Sequence, residues 1–270
     1  MSEILIPNLK WHRVAESVAN HLRDRILSGE LQDGDILPKE DLLRATYPVS
    51  KPSLREAMRI LETEGLVSIR RGNMGGAVVH RPKAANVAYT LALVLRSNNS
   101  GTLDVAKALQ VCEPACAALC AERKDRKRAV LPTLRALHRE TMANLSDLVS
   151  TATASRRFHE ALVDLCGNEP LRITVGALEA LWSSHETDWA HHVIDANLVP
   201  IVERQDAIDI HAEMIDLISD GEAERVRELS SRHLKFVQHY PTEVPTTGRV
   251  GNKFGAPIDP KLVRLQLSAN

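Results

Sequence analysis

Apolar positions recur every three or four residues along most of this chain and alternate by two in one short region only. Val14, Val18, Leu22 and Ile26 put one apolar stripe on a helix from Trp11 to Ser28, which Gly29 ends. Gln32-Asp33-Gly34-Asp35 reads as a turn. A second, short helix is predicted from Lys39 to Thr46, opened by Pro38 and by acids suited to a helix N-terminus. Pro48 has no N–H and disfavours helix at Tyr47, so the chain must turn there. Ser50 is a good N-cap for a third helix, with Lys51 and Pro52 in its first turn. Leu54, Met58, Leu61 and Leu66 mark its apolar stripe, while Lys51, Arg55 and Arg59 share another face, and Gly65 ends it. Val67–Arg70 and Ala77–His80 read as two strands around the tip Arg71-Gly72-Asn73-Met74-Gly75-Gly76.

Short helix, tight turn, basic helix and basic-tipped hairpin make a winged helix-turn-helix, a module that reads double-stranded DNA. The whole-chain balance, Lys+Arg 34 against Asp+Glu 35 and a net charge of −1, conceals this. Residues 1–43 carry five basic and eight acidic side chains, whereas residues 44–83 carry eight basic and three acidic. The positive surplus lies on the proposed recognition helix and wing, where counterions would be released on binding DNA.

From Ala84 to about Tyr240 the pattern is helical throughout. Interruptions are expected at Asn98–Gly101, Lys124–Arg128, Ser150–Thr153, Gly167-Asn168, Asn197–Pro200 and Asp220-Gly221. Six or seven helices with short connections predict an antiparallel bundle. The fold class is therefore mainly α. Residues 1–10 form an N-terminal arm, 11–81 the DNA-binding domain, 82–240 an all-α effector-binding and dimerisation domain, and 241–270 a flexible tail with an apolar patch at Leu262–Leu267. The basic run Glu122–Arg128 reads as a solvated helix end.

Aromatic residues make up only 3% of the chain, which favours packed helices over a sheet-rich fold. No apolar run reaches the length of a membrane span and no signal peptide is visible, so a cytoplasmic location is expected, with reduced thiols. Cys112, Cys116 and Cys120 recur every four residues and Cys166 follows much later. This is the spacing of a helix face, not of a C-x-x-C metal loop, and predicts buried core thiols.

Histidines carry the second chemical signal. His211 lies ten residues before Gly221 and His233 twelve after it. At about 1.5 Å per residue, an antiparallel hairpin brings the two to nearly the same depth. His159 sits among Phe158, Leu162 and Val163 on an earlier helix, with Ser155 one turn before it on the same face. Singly, each is explained as a hydrogen-bonded core or surface residue. Together they could bind a divalent ion through imidazole nitrogens.

The chain resembles the GntR family of bacterial transcription factors, in the branch with a FadR-type, FCD-like all-helical effector domain. The resemblance spans about Trp11 to His239 and is carried by LRDRILSGEL, the LPKE start, VSKPSLREAMRILETEGLV and the glycine-rich wing. It implies that Lys51 and Arg55 contact bases and phosphates, that Ser50 and Ser53 support these contacts, and that Gly72 carries the wing tip to the minor groove; Lys39, Arg59 and Arg71 are further candidates for DNA binding. Asp41 stands where members often have arginine. In the second half, the Phe-His pair, the Gly-Asn-x-x-Leu turn and two histidines 22 apart match the family's metal-binding subset. That subset uses three histidines, matched by His159, His211 and His233, and an aspartate whose place Ser155 takes here. Leu109 and Gln110 stand where many members carry an arginine before the glutamate matched by Glu113.

These observations predict a homodimeric, ligand-responsive repressor that reads a palindromic operator. Its effector would be a small metabolite with a carboxylate, bound near a zinc or similar divalent site, with no organic cofactor. A competing reading within the family is a metal-free sensor of a small molecule or acyl ligand. Outside it stand a metal-dependent hydrolase, with Glu160 or Asp164 as base, and a scaffold in which the bundle only dimerises.

Overall fold

In the computed structural model, residues 9–70, 76–82, 84–194, 201–238 and 258 are described. The chain divides into two compact units, Met1–Lys83 and Ala84–Asn270.

The first unit opens with α1 (Leu9–Ser28), which begins two residues earlier than its apolar stripe suggests. Its buried face is Ala15, Val18, Ala19, Leu22 and Ile26, while Val14 is exposed. Small alanines let α1 approach its neighbour closely, so the contact face is rotated away from Val14. The turn after it is held by the Gln32 N–H donating to Asp35 Oδ2 at 2.8 Å. Helix α2 (Glu40–Thr46) stops where Tyr47 becomes extended ahead of Pro48, and Leu43 is its buried anchor. Helix α3 (Lys51–Thr63) starts at Ser50, whose Oγ accepts from the Ser53 N–H at 3.3 Å. Leu54, Ala57, Met58 and Leu61 turn inward, against α1. Gly65, at φ +73, supplies the left-handed residue that lets the chain leave α3 for the wing.

Strand β1 (Val67–Arg70) pairs antiparallel with β2 (Gly76–Val79), Val67 opposite Val79 and Arg70 opposite Gly76. Ile36 adds a bridge to Val78. The hairpin tip, with Arg71 and Gly72, lies outside the described residues.

The second unit is helical: α4 (Ala84–Ser97), α5 (Thr102–Glu122), α6 (Arg126–Ala129), α7 (Leu131–Ala143), α8 (Leu148–Asp164), α9 (Glu169–Ile194), α10 (Ile201–Asp220) and α11 (Ala223–Val237). Helix α5 is the hub, packing against α8, α9, α10 and above all α11. The interruption expected at Ser150–Thr153 is not there. Those residues form the first turns of α8, and the break falls just before, at residues 144–147. Asp147 caps the helix by accepting from the Val149 N–H at 3.3 Å, and the Thr151 hydroxyl reaches back to the Asn144 carbonyl at 2.6 Å. A cap thus turns a run of weak helix formers into a helix start.

The Glu122–Arg128 run also differs from a solvated end. It contains the single turn α6, and two of its arginines tie other helices down. Arg123 donates to the Leu165 carbonyl at 2.9 Å and Arg126 to the Ser219 carbonyl at 3.3 Å, at the C-terminal ends of α8 and α10. Cationic donors satisfy the last carbonyls of a helix. Gly221, at φ +82, then makes the tight turn from α10 into α11.

Cys116, Cys120 and Cys166 are buried and Cys112 half-buried, all as free thiols. Burial pushes the Cys120 thiol up to about 12, and its Sγ donates to the Leu162 carbonyl. These are inert core groups. Of the region expected to be a flexible tail, Ile258 is described, and it is fully buried in the core of the second unit. The Leu262–Leu267 patch lies outside the described residues, as does the Asn197–Pro200 interruption.

Candidate nucleic-acid interface and metal centre

On α3 the apolar stripe fixes which side faces outward, and Lys51, Arg55 and Arg59 are exposed together there. Lys39 is exposed just before α2. Ser53 is buried, with its hydroxyl 2.9 Å from that of Ser50, so the two serines hold the start of the helix and the cations reach outward. Sequence reasoning passed over Glu40. This first residue of α2 lies 3.2 Å from Lys51 Nζ through Oε1 and 3.4 Å from Arg55 Nε through Oε2. Partial desolvation works to raise its carboxyl, but the two cations outweigh that and hold it below the ordinary glutamate value.

The second site is buried. His159 comes from α8, His211 from α10 and His233 from α11, at 8%, 0% and 1% exposure. Their Nε2 atoms converge: His159 lies 3.3 Å from both His211 and His233, which are 3.0 Å from each other. Phe158 stacks on the His211 ring at 4.1 Å, and the His159 and His233 rings lie nearly parallel at 5.2 Å. On α5, Glu113 Oε1 accepts from His159 Nδ1 at 2.7 Å. That bond fixes the tautomer and leaves the His159 Nε2 lone pair directed into the cluster.

Burial keeps the His211 and His233 imidazoles neutral. Desolvation first, then the neighbouring histidines, lowers His211 well below its ordinary value, and burial with His159 lowers His233 to about 3. Burial raises Glu113 to about 7, and it raises Glu179 well above an ordinary carboxyl, with the charge of Glu113 adding to the effect. Two buried carboxyls in contact cannot both ionise, so they hold a proton between them.

A divalent ion fits this donor set. Nitrogens about 2.0–2.1 Å from a zinc ion stand about 3.3 Å apart at tetrahedral angles and about 2.9 Å apart at right angles. The observed 3.0–3.3 Å separations fall within that interval. Three lone pairs turned on one another repel unless a cation or proton lies between them, and a carboxylate behind one imidazole is the usual outer support of a metal-bound histidine. Among the described residues, these three are the group of side chains close enough to hold an ion.

Ser155 opens onto a small cavity beside the cluster, of about 50 Å³, together with Arg156, His159, Glu113, Glu179 and Trp182. Arg156 and Glu179 were not singled out by sequence. Their signal, a charged residue on the buried side of a helix, shows only once the helix faces are known. Glu160 pairs with Arg156 at 3.3 Å and accepts from the Ser183 hydroxyl at 3.0 Å, while Asp164 lies 3.9 Å from Arg172. Both acids are thus in contact with other side chains.

Comparison with known proteins agrees with this two-part layout. Residues 14–79 match the model of bacterial regulatory proteins of the gntR family, and residues 104–236 match the FCD domain. The chain belongs to the GntR family. It is a DNA-binding transcriptional regulator whose second domain is of the metabolite-binding FCD kind. It is 25% identical over 240 residues to the HTH-type transcriptional regulator YcbG of Bacillus subtilis, covering 88% of this chain and 94% of that protein. It is 29% identical over 233 residues to an Escherichia coli protein named as a candidate L-lactate dehydrogenase operon regulator, covering 83% of this chain and 85% of the other. Among solved structures, Streptococcus agalactiae GntR shares the fold with a TM-score of 0.59 at 21% identity, over 84% of this chain and 99% of that one. No helix among the described residues is long and apolar enough to cross a membrane.

Proposed function

We propose that this GntR regulator is a homodimeric repressor whose operator affinity changes when a small carboxylate metabolite binds beside a divalent ion held by His159, His211 and His233. The observation that carries the reading is the convergence of three buried Nε2 atoms at 3.0–3.3 Å, with His159 of that cluster lining a pocket. A metal there would supply a Lewis-acidic anchor for a carboxylate oxygen. Ser155 would leave room at the ion for that oxygen, where family members place an aspartate. Arg156 adds a cation to the same wall. A relative named for an L-lactate dehydrogenase operon suggests the size and charge of the effector.

Lys39, Lys51, Arg55 and Arg59, with Arg71 and Gly72 of the wing, are assigned to DNA. Two copies of α3 related by a twofold axis would read the half-sites of a palindrome. Exposed apolar residues on α4, namely Val87, Leu93 and Val94, support burial against a second copy. The effector's influence requires unequal affinity for the DNA-competent and incompetent arrangements, typically about 1–3 kcal/mol.

The experiment is a zinc titration by calorimetry on metal-stripped protein, followed by DNA binding with and without small carboxylates, and sedimentation to count subunits. One ion per chain and a carboxylate-dependent change in DNA affinity are expected. A second reading rests on Ser155: without a carboxylate ligand, the cluster serves as the floor of a metal-free pocket. Carboxylate response with no metal uptake would establish that alternative.

A further inference from the structure

Glu40 is an acid placed among the side chains that ought to meet a polyanion. Its Oε1 is shielded from solvent and faces Lys51 Nζ at 3.2 Å, while Oε2 faces Arg55 Nε at 3.4 Å. Taken as a source of stability the arrangement is weak, because exposed ion pairs contribute about 0–1 kcal/mol. Taken as a device for reading DNA it is costly unless it does something else, since a carboxylate repels phosphates.

The geometry points to a positioning role: Glu40 sets the Arg55 guanidinium for base reading and suppresses binding to arbitrary phosphate backbones. This inference rests on the assignment of α3 as the recognition helix. The carboxylate takes Nε, one edge of the guanidinium, and no other atom of that group is engaged among the described residues. The end-on fork of Nη1 and Nη2 therefore stays available, and this pair of donors matches guanine O6 and N7. An arginine without such a brace samples many rotamers and meets any phosphate as readily as a base edge. Glu40 also offsets one of the two positive charges of Lys51 and Arg55, which lowers the counterion-release gain common to all sequences. Discrimination rises because the sequence-independent part of the affinity falls while the guanine contact is preorganised.

The test starts by selecting a preferred duplex from a randomised pool with the wild-type protein. Affinities of wild type, Glu40→Gln, Arg55→Ala and the double variant are then measured on that duplex and on a scrambled one of equal length, across a salt series. Glu40→Gln should bind the scrambled duplex about threefold more tightly and with a steeper salt dependence. Its preference for the selected duplex should fall roughly tenfold. Glu40→Asp should restore part of that preference. In the Arg55→Ala background, adding Glu40→Gln should leave the remaining preference unchanged, since the arginine it orients is gone. Preference retained by Glu40→Gln while Arg55→Ala loses it overturns the role of Glu40 alone. Preference retained by both overturns the recognition-helix assignment, and this inference with it. An equal loss from Glu40→Gln with and without Arg55 places its effect elsewhere and also overturns the inference. A melting temperature within a degree or two of wild type shows that the Glu40→Gln domain is folded.

Discussion

The two domains handle charge in opposite ways. On α3 the functional groups are exposed, with the Lys51 and Arg55 side chains at 49% and 67% exposure, and their acidic neighbour Glu40 is 32% exposed. In the bundle, His211, His233 and Glu113 are at most 1% exposed, and their ionisation is shifted by burial. An exposed ion pair is screened by water and salt, so it affects partner choice more than stability. A buried polar cluster is tied to folding itself, because each unpaired group carries a desolvation cost. Substitutions on α3 should therefore change DNA binding with little effect on melting, whereas substitutions in the cluster should change ligand binding and stability together.

The sharpest way to break this contrast is His211→Ala. It removes one of three converging nitrogens and the ring that stacks on Phe158. Metal uptake in calorimetry should disappear, and the cavity should cost about 2–4 kcal/mol in denaturant unfolding. Unchanged stability would show that the bundle tolerates an exposed-style substitution at its centre. Arg55→Ala is the counterpart on the outer face. It should cost about 1–3 kcal/mol in binding to a selected duplex while leaving the melting temperature nearly unaltered. A comparable loss of stability would mean that α3 depends on the pairing with Glu40.

Ser155→Asp sharpens the comparison from inside the bundle. It adds a hard, charged ligand one turn from His159 and should raise zinc affinity about tenfold, or about 1.4 kcal/mol. Titration with wild type and variant side by side measures it, and no gain would remove Ser155 from the ion's surroundings.

The pH dependence of the metal-free protein separates the buried groups from one another. His211 and His233 are held neutral in the fold, so below about pH 6.5 the unfolded chain takes up their protons first and stability falls. Glu113 is raised to about 7 in the fold and Glu179 well above an ordinary carboxyl, so down to about 4.3 the folded chain takes up these two protons first, and stability rises as pH falls. The effects oppose each other until the unfolded carboxyls also titrate. Wild type should hold its melting temperature down to about pH 4.5 and then lose it steeply. Glu113→Gln, without one of the two compensating protons, should begin to fall near pH 6.5. Identical profiles would show that the carboxyl does not titrate against the histidines.

The DNA-binding unit was largely legible in the sequence because its signals are local. Pro48, the Ser50 cap and Gly65 each act within one turn of their own position, and the α3 stripe needed only the addition of Ala57. The histidine cluster was legible for a related reason, since the Gly221 hairpin converts sequence spacing into depth. What escaped depends on contacts distant in sequence. Glu113 reaches His159 across 46 residues, and Glu179 belongs with both only through the packing of α9 on α5 and α8. Glu40 meets Arg55 over 15 residues, across a turn whose path the pattern does not specify. The Ser150–Thr153 error has another origin: propensity argued for a break, and the Asp147 cap overrode it.

The three histidines lie 52 and 22 residues apart along the chain, on α8, α10 and α11. An ion seated among them would act as a non-covalent staple closing two long loops, and loop closure constrains the unfolded chain more than any local contact does. Helix α11 contributes one ligand and ends the described bundle, so its docking and ion occupancy become a single equilibrium. Hydrogen exchange would report this directly. Chelation should accelerate amide exchange along α11 before the Arg123-tethered end of α8 loosens, making α11 a gauge of free metal written into the order in which the domain comes apart.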